Sequence, residues 1–183
     1  GLLRLLARTL STLGMTRRWP GVWLLLLAGL DLTGCALQPP ALSPDLPDTM
    51  LLERVPFIAQ DSHACGPAAL AMVLQHYGRN ESQEHLKPLL LLPEREGTLQ
   101  IELTAAARRE GFLALQGPST LNALLADVAA GFPVIVLQNL RFERWPLWHY
   151  AVVVGFDRND GVVLLRSGTH ALIEVPFATF LAT

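Results

Sequence analysis

The spacing of apolar positions changes twice along the chain. Residues 22–30 (VWLLLLAGL) form one unbroken apolar block. Between residues 66 and 130 apolar side chains recur every three or four positions, the period of an amphipathic helix. Beyond Pro133 they gather into short β-branched runs. The middle pattern predicts a helix over 66–77, with Ala69, Met72, Val73 and Tyr77 on one face. Pro67 suits its first turn and Gly78 its stop. Further helices are expected over 81–90, over 98–110 with Gly111 as stop, and over 121–130, capped by Ser119 or Thr120 and closed by Gly131. Short strands are expected at 52–58 and 112–116, and then at 133–140, 150–156, 161–165 and 171–175. Arg158-Asn159-Asp160-Gly161 has the turn chemistry of a hairpin between two of these. Helices first and an antiparallel sheet after them make an α+β domain over residues 51–183. The chain stops at Phe180-Leu181-Ala182-Thr183 without a closing signal, as a truncated C-terminus would.

The N-terminal block reads as an address. Arg17 and Arg18 precede it, and nine apolar residues are too few for a bilayer span of about 20. It ends in Leu32-Thr33-Gly34-Cys35, which resembles the lipobox of bacterial lipoproteins: an aliphatic residue, two small ones and a cysteine. The resemblance implies cleavage before Cys35 and acylation of its thiol. The other reading is a plain signal peptide with an incidental cysteine. Met15 is the expected true start, so residues 1–14 are an over-extension and 15–34 the signal peptide. Residues 35–50, with four prolines, are expected to be an extended tether. Ala36 and Leu37 lack the aspartate that the resemblance links to inner-membrane retention, which points to the outer membrane, facing the periplasm.

Composition narrows the partners. Fourteen Lys and Arg against sixteen Asp and Glu leave a net charge of −2 and offer no electrostatic case for a nucleic-acid partner. Hydrophobic residues at 51% rule out a disordered chain. With only Cys35 and Cys65, neither a zinc cluster nor a disulfide framework is available, and no metal or organic cofactor is implied. If Cys35 carries lipid, Cys65 is the one remaining thiol. A free thiol in an oxidising compartment is a liability unless it is used for chemistry; the alternative is an inert core cysteine.

Cys65 stands at the predicted start of the 66–77 helix. A helix N-terminus places partial positive charge beside the sulfur and favours the thiolate, the nucleophilic form. An imidazolium partner would favour it further. Of the five histidines, His149 opens the core-seeking run His149-Tyr150-Ala151-Val152-Val153-Val154-Gly155. His63, His76, His85 and His170 lie in the loop, on the helix behind the thiol or in polar surroundings.

The run VPFIAQDSHACGPAALAMVLQHYG (residues 55–78) resembles the nucleophile motif of the bacteriocin-processing peptidases. These are papain-like enzymes that cut leader peptides after a double glycine. The histidine, aromatic and valine run at 149–155 matches their second motif. The resemblance implies a papain-like fold, with N-terminal helices carrying the nucleophile packed on a C-terminal antiparallel sheet. It also implies Cys65 as nucleophile, His149 as base and Gln60 as oxyanion donor. Five residues before the thiol, the Gln60 amide can point to where a carbonyl oxygen develops charge, with the Cys65 backbone N–H as second donor.

Two features depart from that pattern. Ala64 replaces the aspartate often found before the nucleophile. The triad aspartate, expected at the end of the next strand, falls near Arg166 or Ser167, where there is no carboxylate. Asp157 and Asp160 belong to the turn at the opposite end of the strand. Ser167 or Asn139 is left to orient the imidazole, or else backbone or water. Trp145 and Trp148, in the loop before His149, either line a peptide groove or pack over the sheet edge. The expected function is a lipid-anchored periplasmic cysteine peptidase acting on peptide or protein substrates. The alternative is a non-catalytic peptide-binding lipoprotein on the same fold, motivated by the missing aspartate. Another thiol acyl transfer on the same triad logic is a third reading. The chain carries no GxxxxGK[ST] loop and no transporter, so a double-glycine substrate rests on analogy alone.

Overall fold

The computed structural model describes residues 41–60, 63–91 and 97–183. The expected signal segment, Cys35 and nearly all of the 93–97 loop lie outside the described residues. The compact unit spans Pro39–Thr183. Its elements, in chain order, are β1 (Thr49–Leu51), α1 (Cys65–His76), α2 (Gln83–Leu90), α3 (Gln100–Arg109) and α4 (Leu121–Ala129). There follow β2 (Val134–Asn139), β3 (Trp148–Asp157), β4 (Val162–Ser167), β5 (His170–Pro176) and α5 (Phe177–Leu181). The fold is α+β, with helices packed on a curled antiparallel sheet.

β3 is the spine of the sheet. Its first half pairs with β2, from Asn139↔Trp148 to Val134↔Val153, and its last three residues pair with β1. β4 runs along the other edge and is followed by β5. Residues 150–156 of β3 are all buried. A half-solvated strand alternates; a strand covered on both faces reads as one apolar run, and YAVVVGF is such a run. The hairpin turn at 158–161 is built as the sequence predicts, with Asp157 Oδ1 accepting from the backbone N–H of Asn159 and Asp160.

α1 joins two cores. Cys65, Ala69 and Met72 pack with the sheet and α4. Leu70, Ala71 and Leu74 pack with Leu86 and Leu90 of α2 and Ala106 of α3. A helix apolar on all sides is a buried helix, so the single face expected from the sequence understates its burial. Tyr77, placed on that face by its spacing, is the exposed C-cap residue.

Several expectations are corrected. The strand at 52–58 is absent. The paired residues are Thr49–Leu51, and the chain then turns, with Val55 N–H donating to Leu52 C=O. Pro56 has no N–H to offer a ladder. The strand at 112–116 is also absent. α3 ends with Gly111 at φ +88° and Phe112 N–H returning to Ala107 C=O, a closure that turns the chain away from the sheet. Leu113 and Leu115 are then 83% and 75% exposed. α5, not expected from the sequence, closes the chain with Phe177 buried. The extended tether expected through residue 50 ends earlier. Leu46 is buried in the main core, Ser43 N–H donates to Asn122, and the Arg158 guanidinium donates to Leu46 C=O.

Leu46→Ala is therefore expected to lower the unfolding free energy by about 2 kcal/mol, the lower end for a buried leucine. Urea denaturation checks it. A change within about 0.5 kcal/mol, typical of surface sites, would place residues 42–48 outside the fold.

Candidate active site

Cys65 is the first residue of α1, is buried and forms no disulfide. The backbone N–H groups of a first helical turn have no partner within the helix. Ala64, the N-cap residue, has no side chain that could accept from them. Ala64 therefore adds no acceptor and no negative charge to the positive end of α1 beside the thiol. The aspartate of the resembling motif would cancel part of that charge; Ala64 does not.

The β4–β5 turn holds two of the other expected residues. Ser167, the last residue of β4, places Oγ 2.9 Å from Nε2 of His149, the second residue of β3. Gly168 makes two bonds to Gln60. Its carbonyl accepts from the Gln60 backbone N–H at 2.9 Å, and its own N–H donates to Gln60 Oε1 at 3.3 Å. With its oxygen so committed, the Gln60 side chain can turn only Nε2 elsewhere. That atom is buried and has no hydrogen-bond partner among the described residues, in a side chain 6% exposed. A buried unsatisfied amide N–H costs about 1–3 kcal/mol.

His149 is half-buried, and burial pushes its imidazole below the ordinary value near 6.5. Ser167, being neutral, supplies no charge to oppose that. Burial thus opposes the imidazolium that the sequence predicts as the thiol's partner. Nε2 lies against Ser167; Nδ1 is the ring's uncommitted nitrogen. Among the described residues no hydrogen bond joins Cys65 Sγ to the imidazole. The phenol of Tyr150, which follows His149, is pushed up to about 12 by burial and, second, by Cys65 when that thiol is ionised.

Asn139 serves elsewhere. Its Oδ1 accepts from the backbone N–H of Arg141 and of Leu147, and so folds the 140–147 loop. Across from His149 on β2 stands Gln138, not Asn139. The loop that Asn139 ties down is further closed by Leu140 N–H to Leu147 C=O and Trp145 N–H to Phe142 C=O. Trp145 in that loop and Trp148 at the start of β3 are 73% and 58% exposed. Of the other histidines, His85 pairs with Glu81 at 2.5 Å and His76 sits edge-on to Tyr77. Among the described residues there is no cluster of His, Cys, Asp and Glu that could hold a metal ion, and no helix is long and apolar enough to cross a membrane.

Sequence reasoning did not find Gly168, Thr98 or Tyr150. The first had a signal: Ser167-Gly168-Thr169-His170 lies between two β-branched runs and reads as a turn. Gly168 takes φ +58° there. Thr98, whose carbonyl accepts from the Tyr150 hydroxyl at 3.2 Å, had none.

The architecture is similar to known structures. The crystal structure of a C39-like peptidase from Bacillus anthracis aligns with a TM-score of 0.60 at 20% identity, over 73% of this chain and 90% of the other. The peptidase domain of Streptococcus ComA, a bi-functional ABC transporter of a quorum-sensing pathway, aligns with a TM-score of 0.55 at 23% identity, over 70% and 90%. No curated protein matches. Residues 52–181 match the Peptidase C39-like family, and the chain belongs to that family.

Proposed function

We propose that this chain is a lipid-anchored cysteine peptidase of the bacterial cell envelope, facing the periplasm and hydrolysing peptide bonds by a Cys–His mechanism. The observation that carries it is the convergence at one turn. Ser167 Oγ fixes His149 Nε2, and Gly168 fixes Gln60 with Nε2 unpartnered, while Cys65 opens the buried helix α1.

The chemistry follows from those atoms. With Nε2–H donating to Ser167 Oγ, the ring is held in the tautomer whose Nδ1 is a base. Nδ1 takes the proton from Cys65 Sγ as the sulfur attacks the substrate carbonyl carbon. The C–S bond forms and the carbonyl π electrons move to oxygen. Gln60 Nε2–H and the Cys65 backbone N–H donate to that oxygen, and both are pre-positioned donors. The tetrahedral species collapses, the C–N bond breaks, and the Nδ1 proton goes to the leaving amine. Water, giving a proton to Nδ1, then cleaves the thioester and restores the thiol. The exposed Trp145 and Trp148 rings beside His149 offer apolar contact to substrate side chains. The Cys35 anchor rests on the LTGC motif. It predicts that the protein partitions into detergent and that Cys35→Ser leaves it in the aqueous phase; wild-type protein in the aqueous phase would remove the anchor.

The deciding experiment is iodoacetamide alkylation of Cys65 against pH, read by mass spectrometry of the peptide containing it. The expected inflection lies below the free-thiol value of about 8.5 and moves up to it in His149→Ala. Cys65→Ala is expected to abolish cleavage of a mixed peptide library, and Gln60→Ala to lower kcat about 10²–10³-fold. A single inflection at 8.5 or above, indifferent to His149→Ala, would favour a non-catalytic peptide-binding lipoprotein instead.

The neutral serine gives a second, independent expectation. His149 acts as base only when unprotonated, and burial lowers its pKa, so the acid limb of activity is expected below pH 6.5. Ser167→Asp places a negative charge on Nε2 and is expected to raise the His149 midpoint by about one unit or more, moving the acid limb upward. Ser167→Ala is expected to cost about fivefold in rate, the worth of one neutral hydrogen bond. NMR titration of the His149 ring checks the sign. An unmoved midpoint in Ser167→Asp would separate Ser167 from the imidazole.

A further inference from the structure

Gly66, next to Cys65 in α1, has no room for a side chain. A Cβ there would lie 2.5 Å from Thr98 Oγ1 and 2.6 Å from Thr98 Cβ. Thr98 therefore stands on the backbone adjoining the nucleophile. The carbonyl of the same residue accepts from the Tyr150 hydroxyl at 3.2 Å, and Tyr150 is the chain neighbour of His149 on β3. Tyr150 and Cys65 share the main core. Thr98 thus touches the nucleophile's helix with its side chain and the base's strand with its carbonyl.

We propose that Thr98 and Tyr150 form a latch that sets the position of the Cys65 end of α1 relative to His149. They are positioning residues, and the inference rests on the peptidase reading of the site. Apolar packing between α1 and β3 resists separation but is non-directional, so it resists sliding weakly. Nucleophilic chemistry is sensitive to displacements of about 1 Å. A hydrogen bond on one side and a contact closer than a methyl group tolerates on the other supply the missing direction. Thr98 lies between the bridge residue Gly97 and α3, which begins at Gln100. Its hydroxyl is buried without a partner among the described residues, so it is placed by contact with Gly66 and not by a hydrogen bond of its own. The phenol of Tyr150 feels the charge of Cys65, which supports the closeness of the two.

The test uses the full chain in detergent, with site-resolved iodoacetamide alkylation of Cys65 against pH and thermal melting run together. Tyr150→Phe removes the hydrogen bond and keeps the ring. It is expected to remain folded, to slow Cys65 alkylation at pH 7 about tenfold, and to move the inflection towards 8.5. Gly66→Ala is expected to do the same. Adding Thr98→Gly to Gly66→Ala restores the profile, because the obstructing atoms are gone. Adding Thr98→Ala does not, because its Cβ stays 2.6 Å from the new one. A purely structural role would lower the melting temperature and leave the pH profile alone. A Tyr150→Phe profile superimposable on wild type overturns the latch, as does equal rescue of Gly66→Ala by Thr98→Gly and Thr98→Ala, or rescue by neither. A wild-type profile with no His149-dependent inflection is a different failure: the peptidase reading falls first, and the latch with it.

Discussion

The site depends on Ser167-Gly168, where β4 passes into the turn before β5. Its hydroxyl meets His149 Nε2, its glycine carbonyl holds the Gln60 backbone, and its glycine N–H holds the Gln60 side-chain oxygen. The contacts to Gln60 span 108 residues of sequence and the contact to His149 spans 18, and together they bring the proposed base and oxyanion donor under one constraint. The turn is itself held by the β4–β5 ladder and, through β4, by β3. The hairpin therefore fixes the ring that β3 carries. Without it, the imidazole would have neither a fixed tautomer nor a fixed direction, and the Gln60 amide could rotate.

The electrostatics are those of a triad whose third member is neutral. A carboxylate on Nε2 would raise the imidazole pKa and stabilise the imidazolium formed when the thiol gives up its proton. Serine orients without doing so. Burial then acts unopposed and lowers the His149 pKa. Part of the loss is offset at the other end, where Ala64 places no carboxylate at the start of α1. The departures at Ala64 and Ser167 act on opposite partners of the same proton transfer. One keeps positive potential on the sulfur and the other withholds negative potential from the ring. Burial therefore works against the thiolate–imidazolium pair that the sequence predicts, and the start of α1 works for it.

Much of this was legible in the sequence where local chemistry decides. Glycine stops and the Thr120 cap bound the helices as the pattern predicts. The four C-terminal strands stand within three residues of their expected bounds. The failures lie where a local pattern meets no partner. Residues 112–116 alternate like a strand, but no neighbouring strand pairs with them. Residues 52–58 are β-branched enough for a strand, yet the edge of β3 beyond residue 153 is filled by Thr49–Leu51. At the site, the residues with chemically distinctive side chains could be named in advance. The roles of Gly168 and Thr98 could not, because each acts largely through its backbone, Gly168 by its N–H and carbonyl and Thr98 by its carbonyl. A carbonyl is common to every residue, and its use is set by tertiary contact alone.

The buried orphans at the site fit this arrangement. Among the described residues Gln60 Nε2 and Thr98 Oγ1 are both buried without partners, whereas buried polar groups are normally satisfied. A chain selected only for stability would pair them or replace them with apolar atoms. The Gln60 donor is held by its own oxygen, so it cannot turn away to find water. The Thr98 hydroxyl is held by the absence of a side chain at Gly66. In both cases the cost of an unmet hydrogen bond is maintained by a second contact that serves no purpose in the core. A packing defect relaxes when its neighbours can move, whereas these two groups are clamped in place by the residues flanking Cys65 and Ser167.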